Sequence, residues 1–165
     1  MKYQRIFATI ATTATALAGI TPLSASAQGI PAKGTLLCEV QYQHMMPVGG
    51  NSKNTIMDSG GLCTLEKGGP AGAKITYVVG LEFNDKGIGN LLYGGGNATV
   101  DDKVIQIRQI LDAKYVLQLK DGKVVGWSSS GTAKFLSGDH AGKIHTWSAV
   151  PTGDTTLKID YETKE

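Results

Sequence analysis

From residue 34 onward, apolar and polar side chains alternate with a period of two, the mark of half-buried β-strands rather than of helices. In LLCEVQYQ, Leu36, Cys38, Val40 and Tyr42 fall on one face, with Glu39, Gln41 and Gln43 on the other. HMMPVGGNSKNTIMDSGG follows and reads as a long loop with at most a short strand at residues 55–57. LCTLE then returns Cys63 and Leu65 to one face. KITYVVGLEF carries the pattern most strongly, directing Ile75, Tyr77, Val79, Leu81 and Phe83 inward before Asn84-Asp85-Lys86-Gly87 supplies a turn. GNLLYGGGNATV predicts a strand with a bulge or sharp bend at Gly94–Gly96. After a turn at Asp101-Asp102-Lys103, the β-branched residues of VIQIRQIL favour a strand over the helix that Val104, Ile107 and Leu111 would also permit.

The clearest local signal is YVLQLKDGKVVGW. Asp121-Gly122 between alternating segments predicts a two-residue type I′ hairpin, placing Leu119 opposite Val124 and Val116 opposite Trp127. KIHTWSAV, a turn at Pro151-Thr152-Gly153-Asp154, and LKIDY with Leu157, Ile159 and Tyr161 inward complete the series. Short strands joined by frequent turns, with no long helical pattern, predict an all-β fold, either a small antiparallel β-barrel or a β-sandwich. The choice matters, because a closed barrel of about eight strands can hold a small molecule in its mouth. An outer-membrane barrel is not expected, since its lipid-facing strands would run about 9–11 residues with aromatic girdles.

The first residues follow a different rule. MKYQR carries two positive charges, IFATIATTATALAGI is apolar and small, and Ala25-Ser26-Ala27 is the small-x-small pattern of a signal-peptidase site. The expectation is a cleaved signal peptide over residues 1–27 and a single all-β domain over residues 28–165, periplasmic or secreted in a bacterial setting. No membrane span is expected after cleavage. The formal net charge of the whole chain is +2, and it resides in Lys2 and Arg5 of the leader. The remaining chain is balanced and interspersed in charge, which gives no footprint for nucleic acid or an anionic surface. In such a compartment Cys38 and Cys63 are expected to form a disulfide, because they lack the C-x-x-C spacing of a redox pair.

Residues 126–150, GWSSSGTAKFLSGDHAGKIHTWSAV, concentrate the candidate chemistry. Ser128, Asp139 and His145 are the residue types of a hydrolytic triad, but Gly126-Trp127-Ser128-Ser129-Ser130 fails the G-x-S-x-G nucleophile elbow at its last position. No catalytic residue is assigned from the sequence. His140 and His145 are candidate metal ligands, although their five-residue separation does not put both on one strand face, and the simpler account is a solvated turn histidine and a surface strand histidine. His44-Met45-Met46 is a second candidate, imidazole and thioether being soft enough for Cu(I). GPAGAK and GDHAGK do not meet the phosphate-loop pattern, and no cofactor is expected.

SSSGTAKFLSGD is small and polar, so part of it is expected to form an exposed loop between Trp127 and Trp147, with rigid aromatics anchoring and small polar residues adapting. Locally, S-S-S-G-T-A-K-F is similar to the Ser-Gly-rich loop with which bacterial periplasmic lysozyme inhibitors of the small β-barrel type engage the lysozyme cleft. Both cysteines here lie in the first half of the exported chain, where that family uses one near its C-terminus. The resemblance implies an inhibitor-like binding loop with Ser129, Ser130 and Lys134 as members. The resulting expectation is a non-enzymatic binding module whose partner is a protein or a cell-envelope component, using Trp127, Ser129, Ser130, Lys134 and Trp147. Metal binding is the alternative and hydrolysis the more distant one.

Overall fold

The computed structural model describes residues 29–164 apart from residues 51, 67, 68, 71, 72 and 111, so the expected signal segment lies outside the described residues, as does Leu111. The described residues form nine strands: β1 Lys33–Pro47, β2 Thr55–Leu65, β3 Lys74–Phe83, β4 Ile88–Val100, β5 Lys103–Gln109, β6 Lys114–Lys120, β7 Lys123–Phe135, β8 Ile144–Pro151 and β9 Thr156–Thr163. All pairings are antiparallel, and β9 returns to pair with β1 from Lys33↔Glu162 to Glu39↔Thr156. The sheet therefore closes on itself, and the fold is a barrel rather than a sandwich.

Nine strands make eight staves because β5 and β6 share one. β4 pairs with β5 through Gly95–Val100 and with β6 through Ile88–Asn90. On the other side, β7 meets β6 through Lys123–Ser130 and β5 through Ala133–Phe135. The break between the two half-staves is fastened to β7. There Asp112 accepts hydrogen bonds from the Thr132 amide (3.1 Å) and hydroxyl (2.8 Å), and the Ile110 amide donates to the Thr132 carbonyl at 2.9 Å. Gly131 makes the close approach possible, since a Cβ there would stand 2.8 Å from the Ala113 Cα.

Turn chemistry fixes two of the hairpins. Asp121 (φ 51°) and Gly122 (φ 73°) both adopt the left-handed conformation of a type I′ turn, and Asp101 (φ 46°) with Asp102 (φ 61°) builds the β4–β5 turn in the same way. Asn84 organises the β3–β4 turn, its side-chain carbonyl accepting from the Lys86 and Ile88 amides at 3.0 Å each.

Bulges account for where the strict alternation fails. An extra residue between Val40 and Tyr42 of β1 turns Tyr42 outward, against the expectation that it shares the inner face of Cys38 and Val40. Its ring lies over Gly60 of β2, where a Cβ would come within 2.6 Å of it. A bulge at Val125 leaves Leu119 opposite Val124, as expected, but places Trp127 opposite Leu117 instead of Val116. The bulge in β4 falls at Leu92, ahead of the three glycines, between the pairs Gly80↔Tyr93 and Leu81↔Leu91. Such insertions bend and twist strands, as closure requires. The segment expected to be a long loop is also corrected: β1 and β2 stay paired out to Pro47↔Thr55, leaving only residues 48–54 as a connection.

Ile75, Val79, Leu81 and Phe83 of β3 are all buried, as the alternation predicts. Cys38 and Cys63 are directly paired across β1 and β2, both buried, and joined by a disulfide.

Candidate functional site

The two ends of the barrel differ. At the end where β1 begins and β9 finishes, Ile30 is buried, and its carbonyl lies 2.8 Å from Nε2 of His140 in the β7–β8 loop. Phe135 packs beneath, with ring centroids 5.4 Å from His140 and 4.8 Å from His145. These residues stopper that end. At the other end the lining passes through Gln43, Met45, Val116, Val124 and Asp154, of which Met45, Val116 and Val124 are strongly exposed. Between stopper and mouth runs a cavity of about 410 Å³. That size lies within the range of small-molecule sites, roughly 300–1,000 Å³.

Inward positions on nearly every stave build the wall. Leu81, Phe83, Tyr115, Trp127, Phe135 and Trp147 give it an aromatic and aliphatic surface. Ser59, Ser129, His145, Tyr77, Gln109 and Tyr161 interrupt that surface with polar groups. The Tyr115 hydroxyl donates to the Gln109 side-chain carbonyl at 3.0 Å. Four other polar atoms of the lining are buried without a hydrogen-bond partner among the described residues: Tyr77 Oη, His145 Nδ1, Trp147 Nε1 and Tyr161 Oη. Groups of this kind are costly to bury unpaired, by about 1–3 kcal/mol each. Three of them, on His145, Trp147 and Tyr161, belong to the neighbouring staves β8 and β9, while Tyr77 on β3 lies across the barrel from them.

The lumen opposes charge. Burial holds His145 neutral by lowering its pKa from 6.5 to about 4, and burial raises the Tyr161 hydroxyl to about 12. Tyr115 and Tyr77 are raised by the same cause. Among the described residues no lysine, arginine or glutamate lines the cavity, and its single carboxylate, Asp154, is exposed at the mouth.

The residues singled out in the sequence separate into groups. Ser128–Phe135 belong to strand β7, so the expected exposed loop after Trp127 is instead part of the wall. Period-two alternation divides it: Trp127 and Ser129 line the cavity, as does Trp147 on β8, whereas Ser130 and Lys134 face solvent. Small residues suit this strand because bulky ones stand beside them on the next stave: Gly131 is paired with Trp147, whose ring would be 3.2 Å from a Cβ there, and Ala133 with His145. The expectation of a surface strand histidine fails for His145, which is 6% exposed and packed between Phe135 and Tyr161. Its place on the same strand face as Trp147 was the signal for this. His140 sits in the turn, but its ring is tied to Ile30 rather than fully solvated.

The triad candidates are not brought together. Ala133 is the residue opposite His145, so Ser128 lies five positions along β7 from it, about 16 Å away, while Asp139 packs against Gly29 at the stoppered end. Of His44-Met45-Met46, Met45 reaches the mouth of the cavity, and His44 stacks on Tyr42 at 5.8 Å. Among the described residues no three His, Cys, Asp or Glu side chains are grouped as metal ligands.

Fold and lining together define an up-and-down antiparallel β-barrel with an internal, one-ended cavity. Comparison of the chain with protein-family models, with curated proteins and with solved structures finds no match.

Proposed function

We propose that this protein is an exported binding module, periplasmic or secreted, that holds a small, mainly apolar molecule inside its barrel. The observation that carries the reading is the cavity of about 410 Å³, apolar in most of its wall yet set with four buried, unpartnered polar atoms. An interior serving stability alone would be filled by side chains, and its polar groups would be paired. The disulfide Cys38–Cys63 supports the compartment, since such bonds persist where the surroundings are oxidising. Binding by the face of β7, as in an inhibitor, has less support: Trp127, Ser129 and Trp147 turn into the lumen, leaving Ser130 and Lys134 outside.

Thermal unfolding of the purified protein against a panel of small apolar and amphiphilic molecules tests this, with lysozyme and peptidoglycan fragments as comparison partners. A ligand at a hundredfold excess over its dissociation constant adds about 2.7 kcal/mol of stability. Ala149→Phe, which fills a buried lining position, should abolish the shift. Stabilisation by lysozyme with none from any small molecule would overturn the reading in favour of the outer face.

A further inference from the structure

Three of the four unpartnered polar atoms of the lumen belong to neighbouring staves. Trp147 on β8 and Tyr161 on β9 are direct cross-strand partners, and His145 stands two residues before Trp147 on the same inner face. The His145 and Tyr161 rings meet edge to face at 6.1 Å. Trp147 Nε1, Tyr161 Oη and His145 Nδ1 are thus unpartnered atoms gathered on two adjacent staves, near the stoppered end. Gly34 of β1 keeps room for the tyrosine, because a Cβ there would stand 2.9 Å from the Tyr161 hydroxyl oxygen.

We propose that Trp147 and Tyr161 form a hydrogen-bond-donating pair that selects an uncharged ligand carrying a carbonyl or similar acceptor oxygen, inserted acceptor first with its apolar body toward the mouth. Indole N–H can only donate, so its natural complement is an acceptor atom. The Tyr161 O–H is a second donor, leaning over Gly34 on the neighbouring stave, while the Trp147 ring leans over Gly131 on the other side. An anionic head group fits poorly, because no lysine or arginine lines the lumen among the described residues, and the imidazole beside the pair is held neutral. Tyr115 provides the contrast: its hydroxyl is already used within the wall, on Gln109, and is not free for a ligand. The aromatic surface of Phe83, Tyr115 and Trp127 favours a flat, conjugated body over a flexible chain.

This inference rests on the lumen being the binding site, and the test separates the two. Calorimetric titration of the purified protein would compare three molecules of one shape: naphthalene, 2-acetylnaphthalene and 2-naphthoate. The ketone should bind about tenfold more tightly than the hydrocarbon, as one well-made buried hydrogen bond implies, and the carboxylate no better than the hydrocarbon. In Trp147→Phe and in Tyr161→Phe the preference for the ketone should shrink several-fold while naphthalene affinity stays within about twofold, which also shows that the variants fold. Equal affinities for ketone and hydrocarbon would mean that these atoms are served by water, and would overturn the donor pair. Tightest binding by the carboxylate would overturn it as well. Binding of none of the three would count against the lumen itself.

Discussion

His145 offers the sharpest test of the lumen as a dry, uncharged compartment. Its imidazole packs against Phe135 and Tyr161, and among the described residues it forms no ion pair. Burial lowers its pKa from 6.5 to about 4. Below pH 6.5 the unfolded chain therefore takes up a proton that the folded barrel refuses, so stability falls as pH drops toward 4 and levels off below it. At about 1.4 kcal/mol per pH unit the loss between pH 7 and 4.5 comes to about 2.4 kcal/mol. About 2 kcal/mol is therefore the expected figure. Carboxylates titrate over part of the same range, so the measurement is a difference of differences: urea unfolding at pH 7 and 4.5 for the native protein and for His145→Gln. The native protein should lose about 2 kcal/mol more than the variant. Imidazole NMR signals give an independent readout, since one of the three histidines of the chain should titrate near 4. Equal losses in both proteins, with no imidazole titrating near 4, would refute the account of a dry lumen.

Reduction of Cys38–Cys63 should lower unfolding stability by about 3.5 kcal/mol, read as a shifted urea midpoint in the presence of dithiothreitol, because the bond closes a 25-residue separation in the unfolded chain. Leu81→Ala, at a fully buried position, should cost about 2–5 kcal/mol in thermal unfolding, whereas Val125→Ala, 62% exposed on the β6–β7 hairpin, should stay within about 0.5 kcal/mol. If residues 1–27 are a cleaved signal segment, the full chain expressed in a bacterial host should appear outside the cytoplasm with Gln28 as its first residue, which intact-mass measurement would decide.

What was legible in the chain was whatever a short window decides. Period-two alternation identified the inner face of β3 residue by residue, and Asp121-Gly122 gave its hairpin, because turn conformation depends on two adjacent residues. What escaped depends on partners distant in sequence. Tyr42 faces outward owing to a bulge that the glycines of β2 accommodate, and Val125 shifts the register of Trp127. The segment from His44 to Gly61 looked like a loop because Gly, Ser and Asn dominate it, yet its residues 44–47 pair with β2, and its residues 55–61 are held between β1 and β3. The site was only partly visible. Trp127, Ser129, His145 and Trp147 were all singled out, but as a surface, since inward and outward faces of a closing sheet are settled only when the last stave arrives. Tyr77 and Tyr161 were placed inward, with nothing to reveal that their hydroxyls would lack partners.

The pairing of β1 with β9 has a consequence for how the molecule comes into being. Glu162 hydrogen-bonds in register with Lys33, so the seam joins residues separated by nearly the whole folded length. Each earlier hairpin can form between neighbours, but the resulting ribbon keeps two bare edges until Thr156–Thr163 docks. Long-range closure of this kind is slow, and an open edge invites pairing with other chains. Synthesis or translocation that stalls before the final strand leaves a curved sheet with its aromatic interior exposed, so completion of the chain and protection of the lumen are a single event.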